Sequence, residues 1–243
     1  MQNVFQYIEG DIVTLMRYLR CLLHGHNKCL ERALVAAMGV AGIGKNGCLQ
    51  LLYNIINMHQ MIKTELKIKG YDELVEDVLK EVKIREEWKK EAEDVLKNSA
   101  KALLDFLDDP DHEITRDKLN EAGLGGVRNL QLPILTRWQT TLPAIAKVCI
   151  NPILHYFMAV VGAEKARSSS TNKNSYMETV CNEVIALFKL QAKSDDENIK
   201  SPSVLMTQLR FVNGFAKAVY NNMFTLTCRA DEQFGSNSQG HIG

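Results

Sequence analysis

The spacing of apolar residues is the feature that most restricts how this chain can fold. In nearly every segment they recur three and four positions apart, as in Leu51, Leu52, Ile55, Ile56 and Ile62, so that they share one face of an α-helix. Runs in which β-branched residues alternate with polar ones, the usual sign of a half-buried strand, are scarce. The pattern therefore predicts an all-α fold, predominantly helical, with at most one or two short strands.

The same spacing, together with the Gly, Pro and polar breaks, gives the expected order of elements. A short strand is admissible only near residues 15–23 or 132–135, and residues 14–23 fit a helix and a strand equally well. Asp111 is the predicted cap of a short helix, and Pro152 is the predicted kink in a long one. Helices are predicted over residues 4–38, 49–68, 71–107, 113–122, 140–166, 175–191 and 204–228, with Thr140 or Thr141 as the cap of the fifth.

Charge and cysteine content limit the classes of function. The 29 Lys and Arg residues balance the 29 Asp and Glu residues, which argues against DNA binding through overall positive charge. Any contact with nucleic acid would therefore be local. The six cysteines are scattered without paired spacing and no signal peptide is visible, so we expect reduced thiols in an intracellular protein. No apolar run approaches the roughly 20 residues of a membrane span, so a membrane partner is not expected.

One short stretch carries side chains suited to nucleic acid. An apolar run ends in Thr136-Arg137-Trp138 and is followed by Gln139 and two threonines. A Trp ring can stack on a base, and the guanidinium beside it can hold a phosphate. The alternative is that Trp138 is a buried anchor of the core with Arg137 as its solvated neighbour, because most Trp residues in globular domains are largely buried.

A second motif lies far upstream, where Cys21, His24 and Asn27 form a Cys-x-x-His-x-x-Asn segment. In this order, the two motifs resemble those of the hAT superfamily of transposases, in which such a segment belongs to an RNase H-like core. A Thr-Arg-Trp-type segment then leads into a helical insertion domain. The resemblance implies that residues 1–68 correspond to the end of the core and residues 69–243 to an insertion-like region with a frayed tail. It also implies DNA as a partner and a nuclear location.

The catalytic residues of that family are not reproduced. Transposases of this class resemble other RNase H-like enzymes in holding divalent metals with two Asp and one Glu. Both Asp residues of the family precede the Cys-x-x-His-x-x-Asn segment, whereas here only Asp11 does so, in a helix-cap setting. Cys21, His24, His26 and Cys29 suggest zinc, but no second ligand pair at finger spacing follows. We therefore predict no catalytic residues, no bound metal and no active nuclease.

A glycine-rich loop supplies an alternative function. Residues 39–46, with Gly39, Gly44 and Lys45, follow an apolar run and precede a helix, and they resemble the phosphate-binding loop of plant-resistance-type ATPases. Such loops hold phosphates with backbone amides and a Lys, and the next Ser or Thr binds magnesium. Asn46 occupies that position here. We therefore predict a turn between two helices, without nucleotide or other cofactor.

The sequence does not decide between three functions. The chain is a transposase-derived, catalytically incomplete fragment related to DNA transposition, a helical protein-interaction module, or a degenerate nucleotide-binding fragment. The corresponding partners are DNA, a second copy of the chain or another protein, and a nucleotide. Amphipathic helices with one solvated side, as predicted for residues 71–107 and 204–228, suit the second of these.

Overall fold

The computed structural model of the chain describes residues 25, 28–37, 47–65, 71–124, 130, 138–168, 172–190, 203–220, 222 and 225. Of these described residues 88% are helical and none forms a strand, which confirms the all-α prediction. The two stretches in which a short strand was admissible, residues 15–23 and 132–135, lie outside the described residues. The frayed tail predicted at the C-terminal end also lies outside them.

The helices follow one another with short connections. Residues 28–37 are helical, and the later helices are α1 (Cys48–Glu65), α2 (Tyr71–Lys83), α3 (Glu86–Leu96), α4 (Lys101–Asp108), α5 (Arg116–Glu121), α6 (Trp138–Ile150), α7 (Pro152–Ser168), α8 (Asn172–Lys189) and α9 (Val204–Phe215). A 3₁₀ turn, Lys97–Ser99, links α3 to α4, and a π-helical turn, Ala216–Tyr220, continues α9.

Helix α7 is the centre of the described fold. Its residues from Pro152 to Ala159 are all buried, because α1, α2, α3, α6 and α8 pack around it. A helix that is apolar on all sides is stable in water only when it is covered in this way. The predicted apolar face of α1, including Leu51, Ile55 and Ile62, is buried as expected.

Helices α6 and α7 meet at a sharp bend. The sequence predicted one helix kinked at Pro152, capped by Thr140 or Thr141, but the structure has two helices bent by 83° on either side of Asn151. Pro152 is the first residue of α7, where its missing N–H costs no hydrogen bond. Helix α6 begins at Trp138, so both threonines lie inside its first turns instead of capping it.

The charged helices α2 to α5 present a solvated side, as predicted, with one exception. Lys89 is buried, and its ammonium pairs with Asp108 at 2.6 Å and with Glu86, joining α3 to the end of α4. The prediction that Asp111 caps α5 was wrong. Thr115 caps this helix by accepting a hydrogen bond from the amide of Lys118 at 3.4 Å, because α5 begins three residues later than predicted.

The buried apolar side chains form one cluster that contains residues from Leu30 to Ala216. The predicted division between residues 68 and 69 stays a prediction. Among the described residues no single helix is long and apolar enough to cross a membrane. Within the same residues, the bent pair Thr140–Ile150 and Pro152–Ser168, taken together, meets the length and hydropathy of a span.

Candidate interaction surface

The residues predicted to form a site are largely outside the described part of the chain. Cys21, His24, Asn27, Thr136 and Arg137 all lie there. The three loop residues of the nucleotide-binding alternative, Gly39, Gly44 and Lys45, lie there too. The exception is Trp138, whose backbone begins α6. The role of the side chains of this motif stays a prediction.

Helix α9 is anchored by one face. Ser203 caps its first turn, since its hydroxyl accepts from the amide of Met206 at 3.5 Å. The residues that face inwards are buried against α6, α1 and α8, namely Leu205, Met206, Leu209 and Val212. Their spacing is that of one helical stripe, so the opposite side of α9 is left to solvent.

That opposite side combines aromatic rings with positive charge. Phe211 is 47% exposed, and its ring stacks on that of Phe215, with centroids 6.2 Å apart and planes inclined by 25°. Arg210 and Lys217 are also exposed, and the guanidinium of Arg210 donates a hydrogen bond to the hydroxyl of Ser99 at 2.6 Å. Neither α9 nor the turn that continues it contains an Asp or Glu. We call Arg210, Phe211, Phe215 and Lys217 the α9 face.

The end of α6 extends this surface. Burial raises the pKa of the Cys149 thiol to about 11, although the charges of Arg210 and Lys217 act in the opposite direction. Cys149 lies at the C-terminal end of α6, the helix against which α9 packs. The next residue, Ile150, is 62% exposed. Helix α6 also contains no Asp or Glu, so the two packed helices together present an apolar and positively charged region.

A second exposed apolar group lies at the turn between α2 and α3. Ile84 is 80% exposed, and the first turn of α3 that follows it carries Glu86 and Glu87. Acidic residues at this place are favourable because the N-terminus of a helix has partial positive charge. We call Ile84, Glu86 and Glu87 the α2–α3 knob.

Arg85 fixes the α2–α3 knob to the rest of the fold. One of its terminal nitrogens lies 3.0 Å from a carboxylate oxygen of Glu164 on α7. Its guanidinium also lies 4.5 Å from the ring centroid of Trp88, a separation typical of a cation–π contact. Another terminal nitrogen of Arg85 lies 3.9 Å from a carboxylate oxygen of Glu87, and Glu86 pairs with Lys89. Both acidic charges of the knob are therefore compensated within the fold, and Ile84 is left as its exposed apolar group.

Two histidines form a sealed pair in the core. His59 Nε2 and His155 Nδ1 are 3.0 Å apart, which is a hydrogen bond whose donor depends on the tautomers. Both residues are fully buried. Burial lowers the pKa of His155 to about 3, and burial followed by the His155 charge lowers the pKa of His59 well below 6.5. Both rings are thus neutral, and the solvent they would need as a proton exchange partner is excluded.

Other polar features of the described residues do not form a site. A groove of about 490 Å³ between α3 and α4 is lined by four carboxylates and two lysines, so it is acidic, and nothing in the described residues shows a ligand for it. In the part of the chain that the structure describes, no group of three or more His, Cys, Asp or Glu side chains is arranged to hold a metal ion.

Comparison with known proteins adds no relative: no family model, no curated protein and no solved structure matches this chain. The α9 face and the α2–α3 knob are therefore interpreted from their own chemistry. Sequence reasoning had missed both. The sequence pattern that indicates the α9 face is the helical spacing of Phe211 and Phe215 between Arg210 and Lys217. However, the sequence does not indicate which side of a helix with apolar residues all around will be covered.

Proposed function

We propose that this chain is a non-catalytic helical module, derived from a transposase, that acts by binding another protein. The observation that carries the proposal is the α9 face, where the exposed ring of Phe211 stacks on the half-buried Phe215 and two exposed cations belong to the same helical segment. Aromatic residues and Arg are enriched in protein interfaces, and exposed apolar groups bounded by polar ones mark such interfaces. The resemblance of the motifs that contain Trp138 and Cys21 to those of the hAT transposases supports the transposase origin.

The test uses a displayed library of helical peptides selected on the purified chain. We expect the selected peptides to be apolar and acidic, to match Phe211 and its neighbouring cations. Phe211→Ser should weaken their binding by about tenfold or more, as for a central aromatic contact. Tyr176→Ser is the matched control, because Tyr176 is also an exposed aromatic residue, 67% accessible, but lies on α8. Equal binding to both variants would contradict the proposal.

DNA binding is the second candidate, and it rests on the helix that starts at Trp138. In this view Trp138 stacks on a base displaced from a duplex and Arg137 holds the backbone. Stacking contributes roughly 1–3 kcal/mol per base. Trp138→Ala would then weaken binding to branched or hairpin DNA by about tenfold or more, with an unchanged melting temperature.

We expect the other outcome, in which Trp138 anchors the fold. The same substitution would then create a cavity that costs roughly 3–5 kcal/mol. Its first effect would be a lower melting temperature and not a loss of DNA binding. Thermal melting and DNA binding measured on this one variant separate the two roles. An unchanged melting temperature contradicts our expectation and favours DNA.

A further inference from the structure

We draw no further inference here: the strongest candidate, the exposed ring of Phe211 on the α9 face, belongs to the surface already described, and nothing in the structure shows what covers it.

Discussion

Gly162 allows three helices to approach one another closely. A Cβ atom at this position of α7 would lie 2.8 Å from Cδ1 of Ile62 on α1 and 2.9 Å from the Cys181 sulfur on α8. Contacts this short force the neighbours to move, and extra volume in a filled core typically costs 1–3 kcal/mol. We expect Gly162→Ala to lower the free energy of unfolding by about that amount, measured by urea denaturation.

The matched control is Gly214 on α9, where an added Cβ would meet nothing within 4 Å. Gly214→Ala should therefore raise the free energy of unfolding, by up to about 1 kcal/mol, because Ala is the better helix former. If both substitutions shift stability in the same direction, the close packing at Gly162 is not what distinguishes the two sites.

The histidine pair predicts a dependence of stability on pH. In the folded chain burial keeps both rings neutral, with the pKa of His155 near 3, whereas in the unfolded chain a His gains its proton near pH 6.5. The unfolded state thus binds more protons below that pH. The free energy of unfolding should be constant above about pH 6.5 and should fall as the pH decreases towards 3, by up to about 1.4 kcal/mol per pH unit for each ring.

Denaturation curves between about pH 7 and pH 5, above the range where carboxylates titrate, measure this slope. The double variant His59→Leu/His155→Leu should have a flatter profile, since it has no buried imidazole to protonate. The single variant His59→Leu should be less stable than the double one, because it leaves the polar ring of His155 in an apolar core. A double variant with the wild-type slope would assign the pH dependence to other groups.

At the scale of elements, the junction between α3 and α4 stores backbone strain. Lys97 has φ 47° and ψ −127°, a conformation that favours Gly, and it is the one non-glycine residue with positive φ in the described ranges. Such conformations cost of order 1–3 kcal/mol, part of which a Gly loses again through its freedom in the unfolded chain. We expect Lys97→Gly to raise the free energy of unfolding by about 1 kcal/mol.

Lys90→Gly provides the comparison for that measurement. Lys90 is exposed in the middle of α3, where Gly should lower the free energy of unfolding by about 0.5–1 kcal/mol. The two lysines are seven positions apart and neither is part of the core. A loss of stability in Lys97→Gly comparable to that in Lys90→Gly would argue that the junction is not strained.

The elements were predictable where periodicity alone decides them. The apolar face of α1 is buried, as the spacing of its residues indicated. The same holds for Trp88 and its apolar neighbours in α3. The rest depended on partners distant in the chain. His59 and His155 are 96 positions apart, and Lys89 is buried because its ammonium reaches Asp108 on another helix. No local pattern specifies these contacts, nor the 83° bend that replaced the predicted kink at Pro152.

At the scale of the whole molecule, the single apolar cluster bears on the predicted division at residue 68. Helix α1 contributes fully buried side chains, among them Ile55, Ile56 and Met58, to the cluster that also contains α7 and α8. A fragment of residues 69–243 would expose the surfaces that these side chains cover. We expect this fragment to melt without a cooperative transition and to bind a hydrophobic dye.

The full chain is the reference for that experiment, and it should unfold in one transition. A fragment that melts as sharply as the full chain would establish residues 69–243 as an independent domain. That result would favour the division predicted from the transposase resemblance.

The buried histidine pair also allows the rate at which the core opens to be measured. One ring N–H proton is shared between His59 and His155, and solvent can replace it only when α1 and α7 separate. Its nuclear magnetic resonance signal in heavy water should therefore persist for as long as the interior stays closed. The decay rate of this one proton would report how often the centre of the molecule opens, without any need to unfold it.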